Sequence, residues 1–266
     1  MSVIALRNAT KRFPGAGGRP HTAVRDLTFT VDAGEFVAVV GPTGCGKSTT
    51  LSLVSGLEPP SQGEVEVEGA PVRGIPGGVG YMFQSDAVLP WRSVLDNVAA
   101  GPRYRGAGRA EARRRAAVWV ERVGLAAFER YYPHQLSGGM RKRVALAQTL
   151  VNEPRIMLMD EPFSALDVQT RALMQDELLR LWQGTGAAVV FVTHDLEEAI
   201  ALADRVVVMT SSPATVKAIF DVPLPRPRRV EEIRLTAAFL DAYREIWESL
   251  REEVERARTE AAHRAG

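Results

Sequence analysis

The feature that most constrains this chain is a short apolar run that leads directly into a glycine-rich turn. The run EFVAVV (35–40) is continuous, as in a strand buried on both faces of a parallel sheet. The turn GPTGCGKST (41–49) follows it, and a helix is predicted to begin near Lys47. This order predicts a phosphate cradle, because glycines let phosphate approach backbone N–H groups and a helix N-terminus favours negative charge.

Two side chains of the turn are expected to carry most of its chemistry. Lys47 is predicted to reach the outer phosphates, and the Ser48 hydroxyl is predicted to ligate Mg²⁺, which takes oxygen ligands. Cys45 has two interpretations, a small residue that fits the turn or a thiol activated by the helix N-terminus. The predicted phosphate-binding residues are Gly41, Pro42, Thr43, Gly44, Cys45, Gly46, Lys47, Ser48 and Thr49.

Later apolar runs alternate with helical stretches, which predicts an α/β fold with a mainly parallel sheet. Asp160 and Glu161 come directly after the run IMLM (156–159), and ligands gather at the carboxyl ends of parallel strands. Asp160 is therefore predicted to hold Mg²⁺, and Glu161 to polarise an attacking water as general base. The alternative is a pair of carboxylates that cap a helix or face solvent.

Two further polar residues follow predicted strands. His194 directly follows AAVVFVT (187–193) and is predicted to contact a γ-phosphate, although a histidine in this position is often structural. Gln84 ends GYMFQ (80–84) and is predicted to orient a water or a metal ion.

The rest of the chain indicates three regions. The first third is predicted to form an antiparallel β subdomain, and a helical subdomain is predicted at about 86–140, inserted into a domain that spans 1–222. Residues 223–266 are predicted to be a proline-rich linker and an amphipathic helix, which packs on the core or on a partner. The apolar positions of that helix are Tyr243, Ile246, Trp247, Leu250 and Val254.

Composition excludes several classes of site. The formal net charge of +1 gives no support to a nucleic-acid partner, and the single cysteine excludes an internal disulfide and a cysteine zinc site. The N-terminus lacks the apolar region of a secretory signal. No uncharged apolar run approaches the roughly 18 residues of a spanning helix, so any membrane-spanning part is expected in another chain.

A second phosphate cradle is predicted in HQLSGGMRKR (134–143), where Ser137, Gly138 and Gly139 begin a basic helix. It lacks a lysine equivalent to that of the first cradle.

Together these motifs resemble the nucleotide-binding subunit of an ABC transporter, from about Val3 to Val222. The resemblance implies a P-loop NTPase core, ATP and Mg²⁺ as cofactors, and a role for Phe13 as the aromatic that stacks on adenine; ordinary core packing is the alternative for Phe13. One departure is Met140, where the signature usually has glutamine. The matching motifs are the Walker A turn (41–49), the Q-loop glutamine Gln84, the signature LSGGM (136–140), the Walker B strand with Glu161, the D-loop SALD (164–167) and the switch histidine His194.

The resemblance also implies partners. In this family two subunits pack head to tail, and the signature of one closes over the ATP on the Walker A turn of the other, which explains why the second cradle needs no lysine. Transmembrane permease subunits, an indirectly acting periplasmic or lipid-anchored substrate-binding protein, and a location on the cytoplasmic face of the cell membrane are implied, with no nucleic acid.

The stretches VLPWRSVLDNVAAG (88–101) and THDLEEAIALADRVVVM (193–209) resemble the nitrate, sulfonate and taurine import group, where methionine also ends the signature. A small anionic nutrient is the expected cargo. The alternatives are a soluble ABC ATPase that acts on nucleic acid or ribosomes, and an exporter subunit. Trp91 is expected either in the groove that receives the permease or buried within the helical subdomain.

Overall fold

The computed structural model describes residues 1–15 and 20–265, which divide into two compact units. The described residues of 1–77 and 186–266 form the first unit, and residues 78–185 form the second. In chain order the elements are β1 (Ser2–Phe13), β2 (His21–Asp32), β3 (Phe36–Val40), α1 (Lys47–Val54), β4 (Gln62–Val67), β5 (Ala70–Pro71), β6 (Val79–Met82), α2 (Val94–Val98), α3 (Ala100–Tyr104), α4 (Arg109–Arg122), α5 (Gly138–Leu150), β7 (Ile156–Asp160), α6 (Val168–Trp182), β8 (Ala188–Thr193), α7 (Leu196–Leu202), β9 (Arg205–Met209), β10 (Val216–Asp221), α8 (Val230–Ile233) and α9 (Ala237–Ala265).

The N-terminal strands form an antiparallel sheet in the order β2-β1-β4-β5. On β2 the buried residues Leu27, Phe29 and Val31 alternate with exposed neighbours, as expected of a strand with one face on the core. The predicted antiparallel β subdomain is therefore confirmed.

In the first unit β3 runs parallel to both β8 and β9, and β10 pairs antiparallel with β9. Every residue of β3 and β8 is buried, which is what their continuous apolar sequences predict. Val40 pairs with Thr193 and with Val208, so the three parallel strands end at one edge. The glycine-rich turn and His194 both follow directly at that edge.

The second unit is mainly helical and contains the parallel pair β6 and β7. Helix α5 packs against α2, α3, α4, α6 and β6. Within the segment predicted to be helical, α4 buries Ala112, Ala116, Trp119 and Val120 on one face.

The C-terminal helix α9 packs against α7, β9 and β10, which favours packing on the core over a free partner surface. Only some of the predicted apolar positions are buried. Ile246 and Leu250 are buried, but Trp247 is 39% exposed and stacks with Tyr243, their ring centroids 6.4 Å apart. The buried stripe instead continues to Glu253, because this carboxylate has polar partners inside the first unit.

Those partners are Ser211 and Lys217. The Ser211 N–H donates to Glu253 Oε2 at 3.0 Å, and Lys217 Nζ lies 3.1 Å from Glu253 Oε1. Burial alone would raise the pKa of Glu253, but the Ser211 N–H and the Lys217 ammonium together hold this pKa below its ordinary value. The helix is thus fixed by a buried carboxylate as well as by apolar contact.

The basic proline-rich segment (222–229) also packs within the first unit. Arg228 is buried and donates to the carbonyls of Ala201 and Ala203 at 3.3 and 2.7 Å, at the C-terminal end of α7. These carbonyls have no partner within the helix, so a cationic donor stabilises its end. Burial lowers the pKa of Arg228 to about 10, which leaves the side chain charged at neutral pH.

The α/β class with a mainly parallel sheet is confirmed. Within residues 1–15 and 20–265, no helix combines the length and the apolar character that crossing a membrane requires.

Candidate functional site

The glycine-rich turn holds its lysine folded back over its own backbone. Lys47 is 5% exposed, and its Nζ donates to the carbonyls of Gly41 and Pro42 at 2.9 and 3.1 Å. An ammonium has three donors, so a phosphate oxygen can be bound at the turn while part of this arrangement remains. The Ser48 side chain follows in the first turn of α1 and is exposed.

Gly46 shapes the turn. Its φ is 127°, which side-chain-bearing residues rarely adopt, and an added Cβ would lie 2.6 Å from Val24 Cγ1 and 2.9 Å from the Ala23 carbonyl oxygen. Only glycine fits this position without a shift of the backbone. Gly46 is also the N-cap of α1, so the same residue fixes where the helix begins.

The interpretation of Cys45 as a reactive thiol is not supported. The residue is 1% exposed, and burial raises the pKa of its thiol against the opposing effects of Lys47 and of backbone N–H groups. A neutral buried thiol is a poor nucleophile. The structure favours the alternative, a small residue that fits the turn.

His194 is exposed at the end of β8, between two residues that are firmly held. The Thr193 hydroxyl donates to the buried carboxylate of Glu198 at 2.7 Å and accepts from the Asp195 N–H at 3.0 Å. Asp195 in turn caps α7 by accepting from the N–H groups of Glu197 and Glu198. These contacts fix the backbone on both sides of His194.

Phe13 is half-buried at the end of β1, and the Lys11 ammonium lies 5.0 Å from its ring centroid. Its proposed contact with adenine stays a prediction.

In the second unit the structure brings Gln84 and Glu161 together. Glu161 directly follows Asp160, the last residue of β7, and its Oε2 accepts a hydrogen bond from the Gln84 amide at 3.3 Å. Glu161 has a φ of 43°, a left-handed conformation that is uncommon outside glycine, and its carbonyl accepts from the N–H and the hydroxyl of Ser164. The first D-loop residue therefore holds the turn that aims the carboxylate.

The signature forms the N-terminus of α5. Ser137 is the N-cap, and its oxygen accepts from the Met140 N–H at 3.3 Å. In this contact the Ser137 hydroxyl acts only as acceptor, so its proton remains as a donor. The N–H groups of Gly138 and Gly139 are further donors, because first-turn N–H groups lack partners within a helix. Met140 contributes its backbone to this cap, so the loss of a glutamine side chain leaves the cap intact.

The metal donors that the sequence predicts suit Mg²⁺. Ser48, Asp160 and Gln84 offer a hydroxyl, a carboxylate and an amide oxygen, the hard ligands that this ion prefers. The described residues contain no group of three or more His, Cys, Asp or Glu side chains that could hold a metal ion.

The predicted residues are divided between the two units. Lys47, Ser48 and His194 lie in the first, whereas Gln84, Ser137 and Glu161 lie in the second.

A groove of about 340 Å³ in the second unit adjoins the segment that follows Gln84. Its lining includes Phe83, Leu89 and Tyr104, and the neighbouring Trp91 is 70% exposed. The alternative in which Trp91 is buried within the helical subdomain is therefore wrong.

Sequence reasoning missed the residue that shapes the loop from Leu89 to Ser93, which carries Trp91. Asn97 is fully buried, accepts from the Leu89 N–H at 2.8 Å and donates to the carbonyls of Leu89, Arg92 and Ser93 at 3.1, 2.9 and 3.0 Å. An asparagine eight residues away gives no local signal of this role. The Asn97 side chain thus joins Leu89, before Trp91, to Arg92 and Ser93, after it.

A search among protein families finds that the model described as "ABC transporter" matches residues 24–164. The chain is 43% identical over 251 residues to an uncharacterized ABC transporter ATP-binding protein of Methanocaldococcus jannaschii, covering 94% of this chain and 92% of the relative. It is 45% identical over 197 residues to a taurine import ATP-binding protein of Burkholderia pseudomallei, with 74% and 76% covered. It is 41% identical over 226 residues to a nitrate import ATP-binding protein of Synechococcus elongatus, with 84% and 82% covered.

A solved structure has the same fold. The ATP-binding cassette MJ0796, in a dimeric post-hydrolysis state bound to ADP and Pi, superimposes with a TM-score of 0.72 at 31% identity. The match covers 84% of this chain and 100% of the MJ0796 chain.

Proposed function

Because the chain belongs to the ABC transporter family and is an ATP-binding protein, an ATPase coupled to transport, we propose that it powers import of a small anionic nutrient through separate permease subunits. The observation that supports this most is that two helices, α1 after the glycine-rich turn and α5 after Ser137, begin at N-termini suited to bind phosphate. The relatives named for taurine and nitrate import support the cargo class.

We assign the binding residues of one ATP as follows. Lys47 and the backbone N–H groups of the turn bind the β- and γ-phosphates, and Phe13 stacks on adenine. His194 contacts the γ-phosphate from the end of β8. Ser48, with Asp160 and Gln84, holds Mg²⁺, which neutralises charge on the phosphates when bound.

Glu161 is the proposed general base. It takes a proton from a water whose oxygen attacks the γ-phosphorus, while the bond from that phosphorus to the β–γ bridging oxygen breaks and ADP leaves. The Gln84 amide, 3.3 Å from Glu161, orients the carboxylate and the water.

The second cradle acts in trans in this proposal. Ser137 and the N–H groups of Gly138 and Gly139 bind the γ-phosphate of ATP held by a second subunit, packed head to tail. Each hydrogen bond to a charged group contributes about 1.5–3 kcal/mol, so several together favour closure only while the γ-phosphate is present. The dimeric structure of the related cassette supports this arrangement.

The groove beside Trp91 is the proposed docking site for the permease. A 70% exposed tryptophan on a loop fixed by Asn97 is suited to enter a partner's surface, because large aromatics dominate the energetics of protein interfaces. The chain itself would then lie at the cytoplasmic face of the membrane, and a binding protein outside the cell would act on it only through the permease.

Two experiments test the transport role. The chain should co-purify with its permease subunits when they are co-expressed, and its ATPase activity in that complex should rise when a loaded substrate-binding protein is added. Trp91→Ala should keep the basal ATPase activity and lose this stimulation. Stimulation that survives in Trp91→Ala would contradict the docking site, and DNA- or ribosome-stimulated hydrolysis would favour the alternative class.

A further inference from the structure

A chain of polar contacts in the second unit begins beside the signature and reaches Asp86. Arg141, one turn into α5, donates through Nη1 to the carbonyl of Leu136 at 2.8 Å, directly before Ser137. Its Nε lies 3.2 Å from Asp86 Oδ2. The backbone that leads into the signature is therefore tied through Arg141 to the segment after the Q-loop glutamine.

The other oxygen of Asp86 continues the chain to the catalytic carboxylate. Asp86 Oδ1 lies 2.9 Å from Lys142 Nζ, which donates to the carbonyl of Gln84 at 2.8 Å. The Gln84 amide then donates to Glu161 at 3.3 Å. One carboxylate thus bridges two neighbouring cations of α5, and one of those cations holds the residue that contacts the general base.

Burial makes this bridge a strong constraint. The Lys142 side chain is 3% exposed and that of Asp86 is 21% exposed. A buried ammonium that loses its partners is costly, because water cannot replace them. Any displacement of α5 should therefore carry residues 84–86 with it.

We propose that Asp86 is a positioning residue that couples the two ATP sites of the dimer. This inference rests on the proposed function, in which Ser137 binds the partner's ATP while Gln84 and Glu161 act on the chain's own. Closure of the signature on one nucleotide moves α5, and Asp86 and Lys142 transmit that movement to Gln84 at the other site.

The coupling has a measurable consequence. Occupancy of one site favours the active arrangement of the other, so hydrolysis rises cooperatively with ATP, with a Hill coefficient between about 1 and 2, the number of sites. Without the bridge, each site responds to its own nucleotide alone.

The test is steady-state ATP hydrolysis against ATP concentration for the wild-type chain, Asp86→Asn and Arg143→Gln. Asparagine keeps the shape of Asp86 and removes its charge. Arg143 is a matched control, because it lies on the same helix but bonds the Val123 carbonyl at 3.1 Å. We expect the Hill coefficient of Asp86→Asn to fall to about 1 and its apparent ATP affinity to fall at least about fivefold, the lower end of usual allosteric coupling. Arg143→Gln should match the wild type.

Lys142→Met and Asp86→Glu guard against a folding defect. Lys142→Met should repeat the loss of cooperativity, and Asp86→Glu should restore part of it. Direct ATP binding to the monomer, as distinct from the apparent affinity in hydrolysis, should have the wild-type value in every variant. A wild-type Hill coefficient for Asp86→Asn, or equal losses in Arg143→Gln, would overturn the coupling role alone. A wild-type chain that does not hydrolyse ATP would overturn the proposed function itself.

Discussion

At the scale of single residues, Gly46 is where the phosphate turn leaves no room for a side chain. Both its φ of 127° and the 2.6 Å approach of Val24 Cγ1 act against any substitution. Gly44, two residues earlier, has a φ of 76° but no atom within 4 Å of an added Cβ. The two glycines therefore separate backbone strain from crowding.

Gly46→Ala should lower the free energy of unfolding by roughly 2–6 kcal/mol, the sum of about 1–3 for strain and about 1–3 for crowding. Gly44→Ala should lose only the strain, roughly 1–2 kcal/mol. Urea unfolding of both variants measures the difference. Equal losses would show that crowding at Val24 has no energetic weight.

Residue patterns alone predicted the phosphate turn, the Walker B carboxylates and the signature serine, because each is a local sequence beside a strand or helix end. Asp86 and Lys142 were missed, since their contact joins positions 56 residues apart with no pattern between them. Trp91 was undecided for the same reason: exposure depends on the loop that Asn97 holds.

At the scale of elements, the strands were predictable where they are continuous and apolar, as in β3 and β8. The register of α9 was not. Apolar spacing favoured Tyr243 and Trp247 as buried, whereas the helix turns Glu253 inward to meet Ser211 and Lys217. A charged residue is rarely assigned to a core from sequence, because its partner lies on a distant strand.

This carboxylate makes the docking of α9 sensitive to acid. The pKa of Glu253 is lower in the folded chain than in the unfolded one, so its contribution is present above the unfolded value of about 4.3 and is lost as pH falls through the folded value. Glu253→Gln should lower the free energy of unfolding by about 1–3 kcal/mol at pH 7, with the difference vanishing in acid.

Glu252→Gln is the matched control, because Glu252 contacts the same lysine but its side chain is 62% exposed. Its loss of unfolding free energy should be much smaller than that of Glu253→Gln, because water screens an exposed ion pair. Urea unfolding at neutral and at acidic pH compares the two variants. A loss in Glu252→Gln as large as in Glu253→Gln would refute the role of the buried carboxylate.

At the scale of the whole molecule, the proposed chemistry is divided between the two units. The first provides the phosphate turn and His194, and the second provides Glu161, Gln84 and the signature. Neither unit alone carries the groups proposed to act on one ATP. In the proposed mechanism the signature acts on ATP bound to a second chain, so the proposed active form is the dimer.

The most direct test of this account is the mass of Glu161→Gln in solution with Mg²⁺ and ATP, measured by light scattering after gel filtration. Without its general base the chain should bind ATP, scarcely hydrolyse it, and accumulate as a dimer that ADP does not support. Adding Lys47→Ala should abolish both nucleotide binding and the dimer. Adding Ser137→Arg should abolish the dimer and leave nucleotide binding by the monomer intact. A Ser137→Arg/Glu161→Gln chain that still dimerises with ATP would contradict the trans role of the signature.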